Sequence, residues 1–271
     1  MKKTILITGS NSGIGKITAE YFAERNWQVI ATMRNIEKAG TLKEHSNISI
    51  YQLDVTDTDS IQNAKDAILN DFGKIDVIVN NAGFGCYGAF EPTTESEIDR
   101  QIAVNIKGVM MMTKVFLSHF RKYRAGLFIN ISSIAGLVSY PLASMYVCSK
   151  WAVEGFTEAI SYELRPLNIR VKLVEPGGFK TNFQLEGISW SHDESMPEYH
   201  KATQKTIETR AQRQPEMPDP IAVAEKIFQA ANDDSDRFRY LVGDDAESYF
   251  SKRKEIGAEE YVEMTYQNFI K

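Results

Sequence analysis

The stretch Thr4-Ile5-Leu6-Ile7-Thr8-Gly9-Ser10-Asn11-Ser12-Gly13-Ile14-Gly15 decides how the rest of the chain is read. Its first five residues are apolar or β-branched, the composition of a buried strand. Three glycines follow, and beyond Gly13 the residues Ile14, Ile17, Ala19, Tyr21 and Phe22 recur at helical spacing. Glycines permit a tight turn and let the backbone approach a pyrophosphate closely. The helix start supplies unpaired N–H groups and a positive dipole end for such an anion. A glycine triplet alone is weak; a strand before it and a helix after it make it specific. Thr8 to Gly15 is therefore the expected phosphate cradle.

Outward from the cradle, short apolar runs at 28–33, 48–53, 77–79, 127–131, 171–174 and 240–242 alternate with helical patterns at 60–72, 95–123 and 145–164. The runs are continuously apolar, as strands of a parallel sheet covered on both faces are. The expected architecture is α/β: one doubly wound parallel sheet of Rossmann type, a single domain over 1–271. Residues 182–220 leave the alternation. They set Trp190, Met196 and Tyr199 among charges and then bring Pro215, Pro218 and Pro220. A long irregular segment with aromatics predicts a substrate lid after the sixth strand that folds on its ligand. Residues 243–271 read as a polar, partly helical tail.

Composition narrows the function. The chain has 271 residues, 43% hydrophobic and 25% charged, and a net charge of −5. An acidic chain gains nothing from counterion release, which argues against nucleic acid as a partner. Cys86 and Cys148 have no metal spacing, and His45, His119, His192 and His200 are scattered, so no metal site is expected. The apolar stretch after Met-Lys-Lys is too short for a signal peptide. No segment approaches the roughly 20 apolar residues that span a bilayer. No membrane association and a cytoplasmic location are the expectation.

Tyr146-Val147-Cys148-Ser149-Lys150 opens a helical pattern, and a spacing of four places Tyr146 and Lys150 on one face. A free phenol has a pKa of about 10. An ammonium beside it is expected to lower that value toward the range general acid–base chemistry needs. The fifth strand ends Asn130-Ile131-Ser132-Ser133, and strand ends in such sheets face the ligand crevice. The second strand ends at Met33, followed by Arg34. An acidic residue there would repel a ribose 2′-phosphate. Arg34 instead offers a bidentate fork, which favours NADP(H) over NAD(H).

Three residues, not one, separate the first two glycines. This spacing, with Asn80-Asn81-Ala82-Gly83, Ser133, Tyr146, Lys150 and Pro176-Gly177, resembles the short-chain dehydrogenase/reductase (SDR) family of the classical type, from the first residues to about Thr181. The resemblance implies an oxidoreductase that moves a hydride between a nicotinamide and a carbonyl or alcohol carbon. It selects Ser133 over Ser132, with Tyr146 as proton donor, and gives Lys150 a second role on the nicotinamide ribose. It implies that Asn105 holds a water in a proton relay. Asp54 and the Val55 backbone would frame the adenine, and Asn80 would brace the sheet. Asn81, Ala82 and Gly83 would pass the cofactor ribose. Pro176, Gly177, Phe179 and Thr181 would contact the carboxamide side.

The small-molecule substrate is expected to be a lipophilic ketone, aldehyde or alcohol. Phe84, Tyr87, Leu137, Val138, Tyr140, Phe183, Trp190 and Met196 are the candidate wall of an apolar cavity. A 3-oxoacyl reductase of the same family and a catalytically idle NADP(H)-binding sensor or scaffold are the alternatives. The patterns at 95–123 and 145–164 are apolar around much of their circumference, through Met110, Met111, Met112, Trp151 and Phe156. The resemblance implies a homodimer or homotetramer through these helices. Burial beneath the tail is the other reading.

Overall fold

The computed structural model describes residues 2–181, 183 and 187–270. Asn182, where the lid is expected to begin, lies outside the described residues, as do residues 184–186, Met1 and Lys271. Strand β1 (Thr4–Thr8) leads through the glycine turn into α1 (Gly13–Glu24) and β2 (Gln28–Met33). A 3-10 segment (Ile36–Glu44), β3 (Ile48–Gln52), α2 (Thr58–Phe72) and β4 (Val77–Asn80) follow. Then come β5 (Gly85–Gly88), α3 (Glu95–Ile102), a π turn (Ala103–Lys107) and α4 (Gly108–Tyr123). Next are β6 (Gly126–Ile131), α5 (Ser144–Leu164), β7 (Ile169–Pro176) and β8 (Ile188–Ser191). The chain ends with α6 (His200–Arg213), α7 (Ile221–Asn232), β9 (Arg239–Val242) and α8 (Asp244–Phe269).

Seven strands form one parallel sheet in the order β3-β2-β1-β4-β6-β7-β9. The chain starts in the middle, winds to one edge, then returns past β1 to build the other half. The strand order therefore reverses between β1 and β4, and a crevice opens there at the carboxyl ends of the strands. Alternation along each strand feeds two cores. Ile5 and Ile7 face α1 and α7, where Phe22, Trp27 and Ile227 are buried. Leu6 faces α2 and α4, among Ile61, Ile68, Met112 and Phe116. Each such side chain contributes about 1.5–3 kcal/mol by leaving water.

Local chemistry sets the element ends. The Asp57 carboxylate accepts from the N–H groups of Asp59 and Ser60 and starts α2, and Gly73 ends it at φ +70. Thr94 and Glu97 form a reciprocal capping box on α3.

Two features depart from the sequence expectation, and the tail is more fully helical than expected. The helix expected over 95–123 is interrupted by the π turn, which carries Asn105. Part of the expected lid is regular: β8 pairs in parallel with β5, and α6 follows. The tail is a long helix bent at Gly257, where φ is +84. Tyr261 of that helix is buried against Ile134 and Val138. The tail leaves parts of α4 and α5 uncovered: Tyr123 and Trp151 are each 43% exposed and Tyr162 70%. Among the described residues no helix is long and apolar enough to cross a membrane. Nor do the described residues contain a group of three or more His, Cys, Asp or Glu side chains able to hold a metal ion.

Candidate active site

The crevice is a cleft of about 1380 Å³. Gly9, Asn11, Ser12, Gly13 and Ile14 of the cradle line it. Gly9 (φ +68) and Gly13 (φ +53) lie in the left-handed region, and a Cβ on Gly9 would stand 2.9 Å from the Ala82 Cα. Ser12 occupies the cap position of α1, yet its side chain accepts no bond, and the first turn holds no acidic residue. Among the described residues the leading N–H groups of α1 thus have no side-chain acceptor, and they open on the cleft, the arrangement that suits a phosphate.

The other three cradle residues do not line the cleft. The Thr8 hydroxyl accepts from the N–H groups of Asn81 and Ala82, both at 3.0 Å. Ser10 donates to the Ile7 carbonyl at 2.8 Å. Gly15 lies against the Asn81 amide and the Gly9 carbonyl, leaving no room for a Cβ. These residues brace the loop. Asn81 does both: it donates to the Thr8 carbonyl at 2.8 Å and lines the cleft.

Arg34, Asp54, Val55, Ala82 and Gly83 line the cleft from the ends of β2, β3 and β4. Pro176 at the end of β7 and Gly177, Phe179 and Thr181 just after it line the cleft as well. Lys38, which the sequence reading passed over, lines it too. So does Asp245 at the start of α8, whose carboxylate accepts from Gly178 N–H at 2.7 Å and fixes that segment. Of the expected apolar wall, Phe84, Tyr87, Tyr140 and Phe183 face the cleft. Trp190 instead packs on Tyr87 at 5.7 Å, and Leu137 and Val138 pack beneath the tail.

Ser133, Tyr146 and Lys150 meet on one wall. The Ser133 hydroxyl accepts from Ala135 N–H at 3.1 Å and donates to the Pro176 carbonyl at 3.3 Å. The Tyr146 ring stacks on Tyr87 at 5.5 Å and leans on Phe183 at 5.7 Å. Burial pushes the Tyr146 phenol above its ordinary pKa, and Tyr87 adds to this. A hydrogen bond with Ser133 and the charge of Arg210 pull it part of the way back.

This corrects the expectation for the pair. The Lys150 ammonium lies 5.7 Å from the Tyr146 ring centre and donates to the Ile131 carbonyl at 2.8 Å. It is not among the groups that lower the phenol. Burial pushes Lys150 itself down to about 8, against the pull of Glu154.

Asn105 is buried and does not line the cleft. Its amide N–H groups go to the Phe84 carbonyl at 2.9 Å and Ser149 Oγ at 3.1 Å, and its carbonyl accepts from Phe84 N–H at 3.1 Å. The side chain thus clamps the Phe84 backbone to Ser149. Gln101 repeats it, accepting from Cys86 N–H at 2.7 Å and donating to the Phe84 carbonyl at 3.1 Å. Ser149 closes the circuit by donating to the Tyr146 carbonyl at 2.7 Å. The two amides tie the segment carrying Phe84 and Tyr87 to Ser149 in the second turn of α5. The sequence signal for Gln101 was a second polar residue four positions before Asn105.

Behind this wall lies a buried acid pair absent from the sequence reading. Glu154, one turn after Lys150, and Glu175, just before Pro176, both pair with Arg239 of β9. Burial raises both carboxyls, Glu175 to about 8.

Fold and site together define a dinucleotide-binding domain with a serine, a tyrosine and a lysine grouped in its cleft. The short chain dehydrogenase family model matches residues 3–191, and the chain belongs to that family. A short-chain dehydrogenase from Streptomyces avermitilis is similar at 30% identity and TM-score 0.84, over 97% of this chain and 95% of that one. ElxO, solved with NADP bound, is 30% identical at TM-score 0.76, over 92% and 100% of the two chains. A 3-ketodihydrosphingosine reductase of Bacteroides thetaiotaomicron is 43% identical over 66% of this chain and 65% of its own length.

Proposed function

We propose that this protein reduces a lipophilic ketone or aldehyde with NADPH, and catalyses the reverse oxidation, with Tyr146 as the proton donor. One observation carries the reading. Ser133, Tyr146 and Lys150 share a wall of the same cleft that the uncapped start of α1 opens into. A bound nicotinamide supplies the hydride. Ser133 and Tyr146 donate to the carbonyl oxygen and stabilise the charge that grows there. Tyr146 gives its phenolic proton to that oxygen. The Lys150 ammonium holds cofactor ribose hydroxyls and supports the proton supply. Gln101 and Asn105 keep the aromatic wall in register with Tyr146. Residues 182–220 act as the lid and 243–271 as the tail of one domain. Two copies meeting through α4 and α5 would cover Trp151 and Tyr162.

Arg34 and Lys38 both line the cleft just after β2 and offer positive charge to a 2′-phosphate. ElxO, with NADP bound, supports that choice. The name of the ketodihydrosphingosine reductase supports a long-chain carbonyl, as do the aromatic rings of the cleft. The test is absorbance at 340 nm with NADPH or NADH across carbonyls from small and polar to long-chain. Turnover of lipophilic members with NADPH is expected. Arg34→Ala should lower the NADPH preference about tenfold, the scale of one lost charge-assisted bond. Tight NADPH binding with no turnover of any member would sink the enzymatic reading.

The pKa of Lys150 adds a pH dependence. Above about 8 the ammonium loses its proton. kcat/KM for reduction should therefore fall at alkaline pH, approaching tenfold per pH unit. Lys150→Arg, which keeps its charge, should lose that fall in whatever activity remains. A parent profile flat from about pH 7 to 10 would remove Lys150 from the proton supply.

A further inference from the structure

The last turn of α8 reaches the cleft: Asn268 and Phe269 line it. The bend at Gly257 makes this possible. A Cβ on that glycine would meet nothing within 4 Å, so the glycine serves its positive φ and not a close approach. Beyond the bend, the described side chains that are not exposed are Tyr261, Met264, Thr265 and Phe269. Spaced i, i+3, i+4 and i+8, they make one stripe down the helix. Tyr261 and Met264 seat the start of the stripe on Ile134 and Val138. Phe269 carries its far end to the cleft.

Aromatic rings join α8 to the wall that holds Tyr146. Tyr140 packs in the cluster of Tyr146 and Tyr87, and it also packs among the α8 side chains over Ile134. Its ring meets that of Tyr249, in the first half of α8, edge-on at 5.9 Å. Tyr140, Tyr249 and Phe269 all line the cleft. Ile134 directly follows Ser133, so α8 is seated on the segment that presents the serine hydroxyl. Rings lining a cleft take an alkyl chain out of water without any polar group to satisfy.

We infer that Phe269 is a specificity-determining residue: the last turn of α8 is a wall at the substrate end of the cleft, and the Phe269 ring sets the length of alkyl chain accepted beyond the carbonyl. The inference rests on the carbonyl-reductase reading and deepens it, from a lipophilic carbonyl to a straight chain of limited length. A chain that stops short of the wall gains apolar burial with each added methylene. A longer one must displace the ring or turn back into water. A ring that served the cofactor instead would show in NADPH binding, which the experiment also reads.

The probes are the straight-chain aldehydes from butanal to dodecanal, which share one carbonyl and differ only in length. With NADPH, kcat/KM of the parent should rise along the series to an optimum and then fall. Phe269→Ala should move the optimum to longer chains. It should raise kcat/KM for the first aldehyde past the parent's optimum about tenfold, the effect of seating one more methylene in an apolar pocket. Phe269→Trp should move the optimum the other way. The dissociation constant for NADPH should stay within about twofold of the parent's in both variants. A parent with no optimum overturns the proposal, and so does an optimum that neither variant moves. A Phe269→Ala variant that weakens NADPH would assign the ring to the cofactor, and one that slows every aldehyde equally would make its role structural; either result overturns the proposal. Quenching of bound NADPH fluorescence by the matching straight-chain alcohols is measured alongside. A length optimum in binding that shifts with Phe269, without turnover of any aldehyde, would keep the wall and sink the reductase reading; no binding of any chain would sink the wall.

Discussion

Replacing Tyr146 by Phe should lower kcat for carbonyl reduction by about 10²–10⁴, the range a positioned general acid supplies. The ring itself should stay in place. It is fixed by stacking on Tyr87, by contact with Phe183 and by the Ser149 bond to the residue's own carbonyl, none of which involves the phenolic oxygen. The variant removes one O–H and leaves Ser133 as the neighbouring donor to the substrate oxygen. Charge on that oxygen grows only on the way to the transition state, so kcat and kcat/KM should fall together, with little change in NADPH affinity. A buried phenol keeps its proton through neutral pH and is ready to donate it in reduction. Oxidation needs the phenolate, which burial disfavours until positive charge is near. Single-turnover NADPH oxidation, with cofactor binding measured separately, checks both points. A Phe variant that reduces carbonyls at the parent rate would show that another group delivers the proton.

How far the sequence could foresee this site depends on whether a property is local. Strands β1 and β2 carry continuous apolar runs, so their limits were legible to the residue. Strand β5 is Gly85-Cys86-Tyr87-Gly88, with no such run, and exists through pairing with Ile188–Ser191 about a hundred residues on. The π turn is one extra residue of register inside a helix, which an apolar repeat cannot resolve. Within the cradle, pattern identifies the loop but not which side chains look outward. Thr8 turns inward to the N–H groups of Asn81 and Ala82, which only the folded sheet supplies, and Ser10 to the Ile7 carbonyl three residues back. Asn105 was legible as a polar residue needing a partner, but its partner, the Phe84 backbone, is fixed by tertiary structure. Lys205, Arg210 and Arg213 of α6 line the cleft, and only the fold turns them that way.

Arg239 is the extreme non-local case, and its loss should be the largest change in stability. Its guanidinium lies between Glu154 and Glu175, and on the outside it also reaches Glu158 at 3.3 Å. Glu175 has no solvent exposure and Glu154 only 8%. One oxygen of each, Glu154 Oε1 and Glu175 Oε2, has no hydrogen-bond partner among the described residues. Arg239→Met keeps most of the volume and leaves two carboxyls facing each other without a cation. Breaking a buried pair in this way costs about 3–5 kcal/mol, which corresponds to a Tm lower by roughly 10 °C.

The pH dependence has a definite sign. Glu175 is raised from 4.5 to about 8, so between those values the folded state binds more protons than the unfolded chain. Its contribution is full below the unfolded value, and stability is lost as pH rises through the folded one. Removing Arg239 takes away the cation that holds both carboxyls down, so the window reaches further into the alkaline range. The Tm gap between parent and variant should be smallest near pH 5, where Glu175 is neutral, and widest near pH 9. Adding Glu175→Gln to Arg239→Met should recover part of the alkaline loss. The consequence reaches the active site, because Glu175 precedes the carbonyl that accepts from Ser133 and Glu154 lies one turn beyond Lys150. Thermal unfolding of the three proteins at both pH values is the measurement. A gap that does not widen with pH would mean that Arg239 acts by packing, not by neutralising these two acids.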